Sequence, residues 1–210
     1  MVQKSVKEPG TEPKRRGRPR AYDPQVALAR AAAQFWKAGY AGTSLDDLVA
    51  ATGMNRPSLY AAFGDKRAIY LKTLDYYMEE GQALARAALA GDPPLREFLA
   101  RFYGHALDLY YGDGPRGCYT VGTAAVAAAV DDEVRKFLAA RVRNADDFLK
   151  KQIEKGRGRG EIARDADPAA LAYLATATLH TLAVRSRAGM PRKELEALAK
   201  AAIAVICGKK

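Results

Sequence analysis

The sequence predicts an all-α protein, on three observations. From Asp23 onward, apolar side chains recur at helical spacing in nearly every segment. No stretch of alternating β-branched residues marks a strand. Proline and glycine fall where helices start and stop rather than inside the periodic runs. With 210 residues, 49% hydrophobic and 28% charged, the chain can bury a sizeable core in one large domain or two unequal ones. That composition excludes wholesale disorder, collagen-like repeats and disulfide-dense mini-proteins.

Residues 1–20 hold three prolines and almost no large apolar side chain, so burial cannot offset their ordering entropy, and they read as a flexible arm. Asp23 before Pro24 suits an N-cap with proline in the first turn; Leu28, Ala31, Ala32 and Phe35 follow until Gly39 stops the run. Ser44, with Asp47 three residues on, starts a short second helix that ends near Gly53. A short third helix spans Arg56 to Phe63. Gly64 breaks it, and Asp65 caps a long fourth helix through Tyr70, Leu74 and Tyr77 to about Ala90. Leu95, Phe98, Leu99, Phe102, Ala106 and Leu109 define the next helix, ahead of a loop from Gly112 to Gly117. Val134, Phe137, Leu138, Val142, Phe148, Leu149 and Ile153 define another, ahead of a break expected from Gly156 to Gly160. Pro168 and Pro191 open two final helices, to about Ala188 and Ile206. The first of these is apolar on two faces, Leu171/Leu174/Leu182 and Tyr173/Ala177/His180/Val184. One face can cover the chain's own core, and a second copy of the chain is the natural cover for the other.

The net charge is +10, and half of it lies in residues 1–20, where seven Lys/Arg stand against Glu8 and Glu12. A basic tail on a balanced body points to a polyanion partner. Within it, Lys14-Arg15-Arg16-Gly17-Arg18-Pro19-Arg20 has the composition of an extended segment for an A·T-rich minor groove: glycine permits close approach, proline keeps the chain extended, and arginines meet the negative potential. A solvated or nonspecific basic tail is the alternative. The second and third helices, joined by Thr52-Gly53-Met54-Asn55, have the length and glycine turn of a helix-turn-helix. Arm and helix pair could therefore reach adjacent grooves of one duplex.

The run from Gly39 to Ala68 carries Gly39-Tyr40, Thr43-Ser44, Ser58-Leu59-Tyr60, Phe63 and Asp65-Lys66 in order, and over about residues 20–70 it resembles the DNA-binding region of the TetR family of bacterial transcriptional regulators. The remaining two thirds resembles that family in helix count and length. The resemblance implies residues 1–20 as arm, 21–68 as DNA-binding domain and 69–210 as a domain for ligand binding and dimerisation. It implies phosphate contacts from Thr43, Ser44, Tyr60 and Lys66. It also places Asn55, Arg56, Pro57 and Ser58 at the start of a recognition helix, with Arg56 suited to bidentate contact with guanine. Arg15, Arg16, Arg18 and Arg20 would serve the minor groove. The sequence departs from the family pattern at Ala61 and Ala62, where a bulky aromatic or histidine often sits, so more specificity is expected from Arg56, the arm and DNA shape.

For function, the resemblance implies a repressor that binds a palindromic operator on double-stranded DNA as a homodimer through its last two helices, and that releases it when a small-molecule inducer binds. Tyr103, His105, Tyr110, Cys118, Tyr119 and His180 are polar-tipped residues on apolar segments, candidates for orienting a ligand, with plain core packing the alternative for each. Cys118 beside Arg116 could also act as a redox or electrophile sensor, and a constitutive architectural or redox-sensing DNA binder is the runner-up function. No cofactor and no metal site is expected, since His105 and His180 lack a third ligand at suitable spacing. Gly156-Arg157-Gly158-Arg159-Gly160 follows a helix rather than a strand, which removes its reading as a nucleotide loop. Paired carboxylates, a nucleophile elbow and a phosphate loop are all lacking, so no enzyme is expected. The polar first twenty residues, two widely spaced cysteines and a longest uncharged stretch of 17 residues, 168–184, lead us to expect a cytoplasmic protein with no secretory signal and no membrane span.

Overall fold

The computed structural model describes residues 22–112 and 114–208. The basic arm, with Arg15, Arg16, Arg18 and Arg20, lies outside them. Nine α-helices and no strand are found among the described residues. In the first four, polar caps set the boundaries. Asp23 accepts from the Gln25 N–H at the start of α1 (Pro24–Gly42), which is interrupted at Gly39. Ser44 and Asp47 form a reciprocal capping box on α2 (Leu45–Thr52), with the Ser44 N–H donating to the Asp47 carboxylate at 2.7 Å. Asn55 caps α3 (Arg56–Phe63) and Asp65 caps α4 (Lys66–Ala88). Gly53 closes α2 at φ +69°, a left-handed conformation that glycine adopts without the Cβ clash.

The second half begins with α5 (Leu95–Tyr111). After a loop, a π-helical segment (Thr120–Ala124) runs directly into the single turn of α6 (Ala125–Ala127), an element the sequence did not announce. Its Gly, Ala and Thr residues carry no amphipathic period. Next come α7 (Asp132–Gly158), α8 (Pro168–Arg187) and α9 (Arg192–Cys207). α7 runs two residues past Gly156 into the break expected from Gly156 to Gly160 and ends at Gly158. A Cβ on Gly156 would stand 2.9 Å from Leu95, so this glycine lets α7 and α5 approach closely rather than ending the helix. Gly117 is required differently. At φ +69°, a Cβ there would lie 2.5 Å from the Ala183 carbonyl oxygen, and the loop could not lie on α8.

Two apolar cores result. One joins α5, α7, α8 and α9 around Phe98, Leu99, Leu107, Leu149 and Leu182. The other starts in α1–α3 with Phe35, Leu48 and Leu59, takes in Ile69, Tyr70, Leu74 and Tyr77 of α4, and is completed by Tyr119, Ala124, Ala127 and Val134. On the outside, Tyr173, Leu174 and Val184 of α8 and Val205 of α9 are exposed. Leu174, grouped by the sequence with Leu171 and Leu182, instead shares the outer stripe with Tyr173. The i, i+4 and i+11 spacing of Tyr173, Ala177 and Val184 puts these residues on one side of the helix.

Candidate nucleic-acid interface and internal cavity

The helix-turn-helix presents a polar surface built by its own caps. Asn55 Oδ1 accepts from the Ser58 N–H at 2.9 Å, which orients the first turn of α3. Pro57 occupies that turn at no hydrogen-bonding cost and is exposed. Ser44 is exposed at the first turn of α2, where free backbone N–H groups favour an anion. The Arg56 guanidinium is exposed and reaches Asp46 Oδ1 at 2.7 Å. An ion pair this exposed contributes little stability, but it parks the guanidinium on α2 while no base edge is present. Tyr60 is 43% exposed, which removes it from the core, whereas Phe63 is buried with its ring 6.4 Å from that of Tyr22. Lys66 lies 4.7 Å over the Tyr40 ring with its ammonium near the start of α4.

Thr43 departs from its expected role as a phosphate donor. It is 1% exposed and its hydroxyl donates to the Gly39 carbonyl at 2.7 Å. The side chain closes the break in α1 and is turned away from solvent. Arg67, which sequence reasoning passed over, clasps the start of α7 from the start of α4: its Nε stands 2.8 Å from Asp131 Oδ2 and its Nη2 is 3.1 Å from Glu133. Asp131 also caps α7, and the Val134 N–H together with Arg67 holds its carboxyl below the usual range.

A second region joins this head to the rest of the chain. Trp36 of α1 donates from Nε1 to the Arg116 carbonyl at 3.0 Å, and the Arg116 guanidinium lies 4.3 Å over its ring. Arg187, in the last turn of α8, donates to the carbonyls of both Trp36 and Arg116. The Arg116 guanidinium, two residues from Cys118 in sequence, is therefore engaged with Trp36. Sequence spacing could not show this, because the partners are 80 and 151 positions apart.

Behind this junction, between α4, α5, α7 and the π-helical segment, is a cavity of about 280 Å³. Of the expected ligand residues, Tyr110, Cys118 and His180 line it, and Tyr103, His105 and Tyr119 do not. Tyr103 donates to the Ala175 carbonyl at 3.0 Å inside the core. His105 is half-buried on α5 with Nδ1 3.8 Å from Asp108. Tyr119 is fully buried beside Trp36 and shares a 2.7 Å hydrogen bond with Thr73. Among the residues missed are Tyr77 and Thr120, whose buried hydroxyls have no partner among the described residues, and Arg141. Burial keeps the Tyr77 and Tyr110 hydroxyls protonated well above the ordinary tyrosine range and lowers the pKa of His180, favouring its neutral form. No group of three or more His, Cys, Asp or Glu residues among those described could hold a metal ion. No described helix is long and apolar enough to cross a membrane.

Comparison with known proteins agrees with this layout. Residues 27–73 match the family described as bacterial regulatory proteins, tetR family, and residues 93–202 match the tetracyclin repressor-like C-terminal domain. The HTH-type transcriptional repressor ComR of Escherichia coli (strain K12) is 29% identical over 188 residues, covering 89% of this chain and 90% of its own. A cysteine-substituted form of the regulator CifR, complexed with 26-bp double-strand operator DNA, superposes with a TM-score of 0.82 at 33% identity, covering 89% of this chain and 98% of that one. A regulator from Cytophaga hutchinsonii gives 0.77 at 26%, covering 89% and 96%.

Proposed function

The chain belongs to the TetR family of transcriptional regulators, and from that premise we propose that it is a ligand-responsive repressor that binds a palindromic operator as a homodimer and leaves it when a small molecule fills the cavity. The observation that carries this reading is the double position of Tyr77. Its ring packs edge-on against Trp36 at 5.1 Å in the core of the DNA-binding head, while the same side chain lines the cavity. A ligand cannot press on one without the other.

Ser44, Tyr60 and Lys66 hold phosphates in this proposal, with Arg56, Pro57 and Ser58 toward the base edges and Asn55 fixing the turn that presents them. The arm arginines, Arg15, Arg16, Arg18 and Arg20, supply the minor-groove contacts. Two routes connect cavity and head. Along α4, Lys66 and the cavity-lining Gly81 are about 22 Å apart at helical rise. Along the loop, Cys118 in the cavity wall is two residues from Arg116 on Trp36. A swing of α4 changes the spacing of two recognition helices that must suit grooves about 34 Å apart or a multiple of that. A ligand that prefers the released dimer 100-fold shifts the balance by about 2.7 kcal/mol. The exposed stripe on α8 and Val205 on α9 supply the apolar faces of the dimer.

Light scattering should give a dimer at working concentration, and fragments from the protein's own promoter region should be retarded in a gel. Compounds that raise Tm should then free the DNA. A monomer that ignores every such fragment would end the proposal. Stabilising compounds that leave the operator bound would end its inducible half.

A further inference from the structure

The cavity has an uneven chemistry. It abuts a second chamber of about 280 Å³ bounded by Met78, Gln82, Arg86, Asn144 and Phe148, and the two share Gly81, Phe102, Arg141, Ala145 and Leu179. No Asp or Glu lines either chamber, whereas Arg141 lines both. Arg141 forms no ion pair within 4.0 Å among the described residues, and the nearby carboxylate of Asp146, which acts with it on His180, is outside the lining of both chambers. Its guanidinium crosses from α7 to α4, so that a Cβ on Gly81 would stand 3.2 Å from Nη2. It lies close enough to Tyr110 and His180 to act on both electrostatically. The same cavity is lined by Tyr77, Thr120 and Tyr110, which carry O–H groups, and by an apolar wall of Leu84, Leu138 and Val142.

A lining rich in donors, with Arg141 in both chambers, Arg86 in the second and no carboxylate in either, wants an acceptor that carries negative charge. An ionised carboxylate accepts at both oxygens and matches the guanidinium fork. Ammonium ligands would meet like charge, and a neutral molecule would leave the Arg141 guanidinium without a charged partner in the cavity. We propose that the effector is a small organic monocarboxylate, its carboxylate seated on Arg141 with the Tyr77 and Thr120 hydroxyls donating to it and its hydrocarbon body lying against Leu84, Leu138 and Val142. This rests on the cavity being the effector site.

Calorimetry on the full-length dimer tests it, using butanoate, octanoate, phenylacetate and 2-naphthoate against the matching alcohols and amines, with inorganic phosphate as an anion lacking a hydrocarbon body. At least one carboxylate should bind about tenfold or more tighter than its alcohol, with no binding of its amine or of phosphate. Arg141→Gln should bring that carboxylate down to the level of the alcohol, and Arg141→Lys should retain part of the preference; operator binding by each variant reports that it is folded. Alcohols or amines binding as well as the carboxylates, a silent carboxylate series, or an Arg141→Gln protein with unchanged preference would each overturn the assignment. An alcohol that binds best and still frees the operator sinks the ligand class and spares the inducible repressor. A carboxylate that binds through Arg141 while the operator stays bound does the reverse.

Discussion

In α1–α3 each buried hydroxyl has a partner: Thr43 donates to Gly39, and Thr52 donates to Leu48 at 2.7 Å while accepting from the Met54 N–H. Around the cavity, the Tyr77 and Thr120 hydroxyls have none, and Arg141 lines it with no carboxylate in the lining. Packing differs in the same sense. Phe35, Leu48 and Leu59 fill the head to the centre, whereas α4 and α7 pack on other helices and leave a seam between them. The head is finished before it meets DNA. The body holds unsatisfied groups that a guest can satisfy, and a site that must respond to binding needs such a reserve.

The contrast can be broken at its strongest point first. Phe35→Ala should cost about 3–5 kcal/mol of stability in urea unfolding, since that ring is fully buried against Tyr40 and Tyr70. A loss under half of that would mean the head is looser than its burial implies. Next, Arg56→Ala should weaken operator binding by about 1–3 kcal/mol and relax preference at one base pair, read by fluorescence anisotropy on single-substituted operators. An unchanged base profile would move specificity elsewhere. The sharpest comparison is a pair of isosteric changes. Thr52→Val should lose about 1 kcal/mol, because it leaves the Met54 N–H without its acceptor, and Thr120→Val should gain about as much by removing an unpaired hydroxyl. Equal signs for the two would erase the distinction between the regions.

The smallest effect is one of pH. His180 is faced by Arg141 and Asp146 of α7, and burial, the largest cause, lowers its pKa below the usual 6.5. The folded state therefore binds this proton less readily than the unfolded chain. Stability from the neutral imidazole is complete above the unfolded value and is lost as pH falls below about 6.5. Thermal melts of His180→Gln should show a shallower acid limb than the parent, and identical limbs would place the loss in other groups.

What could be read from the sequence follows the same division. Asp23, Ser44 and Asp65 announce their helices because an N-cap acts within three residues of itself, and the first four helices fall near their expected limits. Asn55, read from the sequence as a DNA contact, is the N-cap of α3. Tyr110, Cys118 and His180 were legible as polar tips on apolar segments. Arg141 was not, because a charge at a helical position ordinarily faces water and only the α4–α7 seam turns it inward. Thr43 misled because its hydroxyl was assigned from position, and the break at Gly39 provides a nearer acceptor. The π-helical segment has no sequence period, and its place is set by Trp36, Tyr70 and Tyr77 packing on Tyr119.

That last cluster bears on how the molecule can be cut. Tyr70 is completely enclosed, and its hydroxyl donates to Thr123, 53 positions further along the chain. The DNA-reading unit borrows its floor from the opposite half, so a fragment ending at residue 68 would surrender Tyr70, Tyr77 and Tyr119 together and leave Trp36 bare. Grafted alone onto a foreign dimeriser, it would be an aggregation-prone stub rather than a portable cassette. A working chimera must carry residues 119–134 along with the reader.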